Sequence, residues 1–408
     1  MYTNTPSGAR LLCYLAALLL VPGCSGSTDG RAGTDVPRLV LENELRIGSP
    51  DDPEYSFGWF RSLVVGPDAH IYTLHPEEQV IREHDASGRL VRKIGGAGEG
   101  PGEFKSAGAM GLLADTLWVF DHGAYRLSYF DASTGELLAS RRVPVDFGEG
   151  PGDDPPRPSG LLPDGSMLAR TMAWSRLVAS GEITEMVQFR WTRDGELIDT
   201  LAIQPLVNTT WEVKPPDGTY RSYMQQPFAR APMVRVSSYR PEVLRVDRDP
   251  PEDVEPFFRV VKTTFDGDTV FDRSFPFDPV PIPPSVVDSL VDLRAQGMGE
   301  RAEFPAAEIR EWARSGLYVP ETFPPVEGAV PGMDGSVWLQ LTDDGGPLTW
   351  FGLAPDGDII GEVDASQKFR LLAATSDRWW GVETDELDVP YIVRYDVGPP
   401  TMEQELEN

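Results

Sequence analysis

Cysteine is almost missing from this chain of 408 residues; only Cys13 and Cys24 occur. Cleavage before Cys24 would leave one cysteine in the mature chain. That excludes a disulfide framework, and zinc sites built from four cysteines or from two cysteines and two histidines. Histidine is as sparse, with His70, His75, His84 and His122. Basic residues are outnumbered, 36 Lys and Arg against 64 Asp and Glu, for a net charge of −28. A surface of that sign repels phosphate backbones and anionic headgroups, so nucleic acid is not an expected partner. The acidity reads first as solubility in an extracytoplasmic space, and second as attraction for divalent cations. Helix-period stretches are scarce, and the one long apolar run, residues 11–21, falls short of the ~20 residues a spanning helix needs.

What is abundant is glycine, in repeated settings. Gly98-Glu99-Gly100-Pro101-Gly102-Glu103 returns 50 residues later as Gly148-Glu149-Gly150-Pro151-Gly152-Asp153. Residues 71–75 and 80–85 align without gaps on 117–121 and 126–131, at an offset of 46. Recurrence at this spacing marks a supersecondary unit used repeatedly. Asp-Gly turns continue at 164, 194, 266, 334 and 356, each flanked by β-branched or aromatic residues. Antiparallel hairpins at near-even spacing predict an all-β propeller rather than a single sandwich.

Outermost strands are expected to start near Arg89, Glu136, Glu196, Asp268 and Asp358. The C-terminal stretch supplies three further strands and no fourth. The missing one is available in residues 38–47, so the N-terminal strand closes the last blade and hides two open edges. The count is six four-stranded blades. Seven is the alternative, because residues 220–268 parse poorly. The string 95–104, followed by Trp118-Val119-Phe120-Asp121 and Arg126-Leu127-Ser128-Tyr129-Phe130-Asp131, resembles the NHL-type repeat. The mature chain as a whole resembles the six-bladed β-propeller lipoproteins of environmental bacteria. That resemblance implies a fold firmly, a structural ion pair between Asp121 and Arg126, and no defined activity.

Residues 1–23 read as a signal peptide: Arg10, an apolar run, then Val21-Pro22-Gly23-Cys24, which resembles a bacterial lipobox with Cys24 as the lipidated residue. Residues 24–36 read as a flexible tether, 37–400 as the propeller and 401–408 as an acidic tail. The expected location is therefore the cell envelope, lipid-anchored to the outer membrane and facing the periplasm or the surface, with the anchor as the one membrane contact.

Connections a–b and c–d of the blades are short; the long material lies in b–c and d–a connections, which share the other face. It includes residues 173–184, 204–226 and a helical insert at about 284–318 between the fourth and fifth blades. In that insert Ser285 is expected to cap a helix with Val286, Val287, Leu290, Val291 and Leu293 as its apolar positions. A second helix places Ile309, Trp312 and Ala313 on one side. Loops on a rigid scaffold are where binding residues concentrate. Trp174, Trp211, Tyr220, Tyr223, Trp312 and Tyr318 all lie in these segments, and two or three are expected to be free for recognition.

Catalytic signals are weak. The glycine strings lack the Gly-Lys-Ser/Thr of a phosphate loop and read as crossovers between blades. His75 and His122 are placed in b–c loops of adjacent blades; with Asp121 they are the candidates for acid–base or metal chemistry, against the commoner outcome of ordinary loop histidines. Asp343 with Asp344, or Asp153 with Asp154, could hold Ca²⁺, although adjacent loop acids are usually only solvated. No cofactor is otherwise expected. The mature chain has only Asn43, Asn208 and Asn408, too few for the asparagine-and-acid calcium site of six-bladed lactonases. Two functions remain: a binding or scaffold propeller for a protein, peptide or glycan, and a lyase or hydrolase, with or without a metal, at the axial mouth.

Overall fold

The computed structural model describes residues 36–58, 60, 62–144, 156–172, 175–218, 220–249, 254–299, 304–342 and 346–400. Strand β1 (Arg38–Ile47) comes first. Four sheets of four antiparallel strands follow. The first holds β2 (Ser62–Val65), β3 (Ile71–His75), β4 (Val80–His84) and β5 (Leu90–Gly95); the second β6 (Ala107–Leu113), β7 (Thr116–Asp121), β8 (Arg126–Asp131) and β9 (Leu137–Arg142). The third holds β10 (Arg157–Leu161), β11 (Met167–Arg170), β12 (Glu185–Trp191) and β13 (Leu197–Pro205), with the short helix α1 (Ser175–Ser180) between β11 and β12. A separate hairpin, β14 (Thr210–Val213) and β15 (Ser222–Gln225), precedes the fourth sheet: β16 (Met233–Val236), β17 (Glu242–Asp247), β18 (Phe257–Thr264) and β19 (Thr269–Pro276). Helices α2 (Pro284–Gly299) and α3 (Ala306–Gly316) form the insert. The remaining strands are β20 (Val326–Pro331), β21 (Val337–Leu341), β22 (Leu348–Leu353), β23 (Ile359–Ala365), β24 (Phe369–Ala374), β25 (Arg378–Thr384) and β26 (Pro390–Gly398).

These last strands form one eight-stranded sheet through β1. β1 pairs antiparallel with β26 from Val40↔Gly398 to Ile47↔Ile392, with a register shift between Asn43 and Leu45. It also pairs parallel with β23 at Arg38↔Glu362 and Leu39↔Val363. The first contact is the closure expected from the three-strand count. The second is not legible in the strand pattern and ties two strand groups to one segment.

Sheets stack face on face in chain order. Leu74 and Ile81 of the first pack on Met110 and Leu117 of the second; Trp118 and Phe120 of the second pack on Leu161 and Met167 of the third. Val246 and Phe258 meet Leu339 and Phe351, Trp338 and Trp350 meet Trp379 and Val393, and Ala373 and Trp380 return to Leu63 and Ile71. The stack closes on itself, which makes the fold an all-β propeller.

Local chemistry explains the hairpins. Asp85 Oδ1 accepts the backbone N–H of Ser87 and Arg89, and Gly88 takes φ of +85°, which a Cβ would resist. The string 95–104 is the crossover from the first sheet to the second. Phe104 N–H bonds Gly96 C=O at 2.7 Å, and the Phe104 ring is buried against Phe130. The second string lies outside the described residues.

Residues 220–268, the reason for a seven-blade alternative, divide between the hairpin and the fourth sheet. β15 ends the hairpin, and β16 to β18 are ordinary strands of that sheet.

Candidate functional site

The three long connections meet. α1 packs on β14 and β15, α3 packs on β14, and α2 packs on α3. The second and third of these connections share a core, Trp211, Val213 and Phe228 from one with Val287, Val291, Ile309, Trp312 and Ala313 from the insert. Gln226 is buried and works as a clamp: its amide nitrogen donates to Gly316 C=O at 2.8 Å, and its amide oxygen accepts Tyr318 N–H at 3.0 Å. α3 comes so close to β14 that a Cβ on Gly316 would stand 2.0 Å from Glu212 C=O. Together these segments form a cap.

The cap corrects the expected recognition residues. Trp211 and Trp312 are buried at 3% and 9% exposure, so they are core and not free aromatics. Tyr220 is half-buried against Phe304, ring centroids 6.2 Å apart, and Tyr223 is half-buried in β15. Tyr318 is half-buried and lines a cleft. In α2 the core positions are Val287, Val291, Ala295 and Met298, whereas Leu293 is 69% exposed. Ser285 lies inside that helix, which starts at Pro284, so it is not the cap. Trp174, Asp343, Asp344, Asp153, Asp154 and Cys24 lie outside the described residues.

The histidine candidates do not converge. His75 is the last residue of β3, not a loop residue, and is buried against Phe57 and Phe60, with Nε2 2.8 Å from Thr73 Oγ1. His84 is fully buried beside Tyr55 and Phe57. Burial, and then the charge of Arg82, pushes the pKa of each down to about 4, so both rings are neutral at physiological pH. His122 is exposed in the turn after β7, edge-on to Phe120. Among the described residues no group of three His, Cys, Asp or Glu could hold a metal ion.

Asp121 is buried, and its role differs from the expected ion pair. Its carboxylate accepts the backbone N–H groups of Lys105, Ser106, Gly123 and Ala124 at 2.7–3.1 Å. Arg126 donates instead to Glu99 C=O at 2.8 Å and to Glu103 C=O. Both residues therefore hold the crossover loop, through separate contacts.

Two clefts flank the fourth sheet. One, of about 640 Å³, is walled by Pro256, Pro276, Phe277, Phe323 and Pro325. Its charges follow the chain as a whole: Arg38 is outnumbered by Glu255, Asp278 and Glu362, and lies 3.7 Å from Glu362. The other, of about 450 Å³, lies against the third sheet, where Leu162, Val234, Val243 and Phe265 are the buried contact. Val243, Arg245 and Asp247 alternate onto that face of β17, and Arg259 is the cross-strand partner of Asp247. Tyr318 comes in from the cap and Asn208 from the end of the third sheet.

This second cleft inverts the charge of the chain. Arg230, Arg245, Arg248 and Arg259 line it against Asp247 and Asp249. Arg245 Nε bonds Asp247 Oδ1 at 2.7 Å, and Arg259 Nε bonds Asp272 Oδ1 at 2.7 Å. Arg248 donates to the carbonyls of Ala229, Ala231 and Val326. Burial, and then the charge of Arg235, pushes its pKa down to about 10. The sequence carries a signal that composition hides: five arginines, at 230, 235, 240, 245 and 248, fall within nineteen residues of an acidic chain.

No family model matches the chain, and no curated protein matches it. Solved structures do match. A DUF4221 family member from Bacteroides vulgatus is 9% identical, with 89% of this chain and 99% of that chain covered and a TM-score of 0.49. The calcium-binding protein regucalcin from Agrobacterium tumefaciens is 13% identical, with 89% and 97% covered and a TM-score of 0.36. BamB from Moraxella catarrhalis is 10% identical, with 84% and 88% covered and a TM-score of 0.31.

Proposed function

We propose that this chain is an envelope-tethered, six-bladed propeller that binds a protein, peptide or glycan through its cap side. The observation that carries the reading is the convergence of its longest connections on one another, beside a cleft whose charge opposes that of the chain. Ring formation alone needs no cap of this size, since connections in compact domains are usually short. Buried Trp211 and Trp312 make the cap a folded body rather than loose loops. Six blades follow if the eight-stranded sheet is divided at the β1–β23 contact. The first strands β16, β20, β24, β2, β6 and β10 touch in that order, which supports this division. The NHL-like pattern is supported by the crossover loop that Asp121 and Arg126 hold.

Export and anchoring rest on the residues around Cys24. Among the described residues no helix is long and apolar enough to cross a membrane. The lipid on Cys24 is the proposed attachment. In membrane fractionation, Cys24→Ser should be soluble or remain uncleaved, while the parent is found in the membrane pellet. Equal partitioning would sink the anchor.

The binding role is tested by capture from native envelope with parent protein and with Tyr318→Ala/Arg245→Glu, after both are seen to melt cooperatively at similar temperature. Loss of retained partners or glycans from the variant is expected. An unchanged set would place the working surface elsewhere.

A further inference from the structure

We propose that the cleft between the third and fourth sheets is a site for a small organic anion, its oxyanion held by Arg245 and Arg259 and its body set between Tyr318 and Phe257. This rests on the reading of the cap side as the working side, and adds the chemistry of the ligand.

The first argument is electrostatic. In a chain of net charge −28, the four guanidinium groups of this wall face three carboxylates, Asp247 on Arg245, Asp249 on Arg230 and Asp272 on Arg259, which leaves a local excess of positive charge. Holding like charges together costs free energy that an arriving anion offsets. The second argument is donor geometry. Arg245 spends Nε on Asp247, and Arg259 spends Nε and one terminal nitrogen on Asp272. Both terminal nitrogens of Arg245 and the other one of Arg259 make no hydrogen bond within the described residues. The two side chains are 42% and 47% exposed, so these donors are within reach of a ligand. Guanidinium forks match carboxylate and phosphate oxygens in just this way.

The third argument is shape. A volume of about 450 Å³ suits a sugar-sized molecule, and half-buried Tyr318 and Phe257 offer flat apolar surface beside the charges. Arg248 belongs to the frame: three of its nitrogens bind main-chain carbonyls, so it contributes positive potential and holds the segment that carries Arg230. The larger cleft on the other flank carries none of this, because its acids outnumber its single arginine.

The test uses three hexoses that differ in one group: glucose, glucuronate and glucose 6-phosphate, titrated into the detergent-extracted full chain by calorimetry and followed by thermal melting. At least one of the two anions should bind and raise Tm, and glucose should do neither. Glucuronate alone would assign a carboxylate, glucose 6-phosphate alone a phosphate. Arg245→Gln/Arg259→Gln should weaken binding by about tenfold or more. Raising NaCl to about 0.5 M should weaken binding to the parent, a readout that needs no variant to fold. The proposal is overturned if neither anion binds the parent, if glucose binds as well as the anions, or if salt leaves the affinity unchanged. The capture experiment reads the binding role separately, so a negative titration with intact capture removes only the anion.

Discussion

Trp211 donates its indole N–H to the carbonyl of Ala313 at 2.8 Å, joining β14 to α3 across 102 residues of sequence. The bond sits inside the cap core, and Arg294 lies 5.8 Å above the same indole ring. Deleting residues 284–318 is therefore not a simple loop removal, since it would bare Trp211, Val213 and Phe228. Trp211→Ala should cost about 3–5 kcal/mol of cap stability, by lost burial and the cavity left behind. Trp211→Phe keeps most of the packing and should cost about 1 kcal/mol for the lost hydrogen bond. Limited proteolysis in the cap, against urea unfolding of the ring, separates the two bodies. A Trp211→Ala protein as protease-resistant as the parent would refute the core role.

Acid should loosen the first sheet before it affects the carboxylates. His75 and His84 take up protons near pH 4 when folded, against 6.5 for a free imidazole. Between those values the unfolded chain binds more protons, so stability falls as pH falls from 6.5 towards 4 and is level above 6.5. One pKa unit corresponds to about 1.4 kcal/mol, so the two shifts together set an upper bound of about 7 kcal/mol. Asp164 and Asp334 are held below the usual carboxylate range by bonds from Ser166 and Ser336, despite burial that opposes the shift; their contribution is lost only below about pH 4. His84→Phe should flatten the Tm profile between pH 6.5 and 4. A slope there as steep as the parent's would show that His84 is not a source of it.

Period-2 alternation and Asp-Gly turns are local signals, and the strands they mark are where the sequence pattern puts them. β24, β25 and β26 are the three strands expected of the C-terminal stretch, and the outer strands begin within a residue or two of their expected starts. The helix face at Ile309, Trp312 and Ala313 was legible for the same reason. Partners at long range were not. Nothing local in Trp211 tells that its cover lies a hundred residues on, so an aromatic in a long loop read as exposed. His75 misled because β3 runs one residue further than its apolar core, taking the ring inside. The arginine-lined cleft was missed because an overall charge of −28 hides a local excess, visible only when β17 alternation puts Arg245 and Asp247 on one face.

Closure of the ring makes a graded prediction. Residues 25–35 carry no apolar pattern, and their removal should leave Tm unchanged. Removal through residue 47 takes away both pairings of β1 and its bridges, including Glu44 Oε2 to Arg394 Nε at 2.9 Å and to Arg378 Nε at 3.1 Å. It also bares the edges of β23 and β26, which invites aggregation. Lower Tm and concentration-dependent light scattering are expected for the longer truncation alone. Equal behaviour of the two would mean that β1 is not the seal.

Asp121 and Arg126 separate a loop-holding role from an ion pair. Asp121 Oδ1 accepts from Ser106, Gly123 and Ala124, and Oδ2 accepts from Lys105. In Asp121→Asn one side-chain atom becomes a donor, so it faces a main-chain N–H in a buried place. The cost should be about 1–3 kcal/mol, the range for a buried polar group left unsatisfied. Arg126→Gln loses two bonds to main-chain carbonyls near the surface and should cost about 1 kcal/mol. If the two formed an ion pair, neutralising either would remove the same interaction. Chemical denaturation of both variants distinguishes the cases: a clearly larger loss for Asp121→Asn supports the amide cradle, and equal losses would restore the pair.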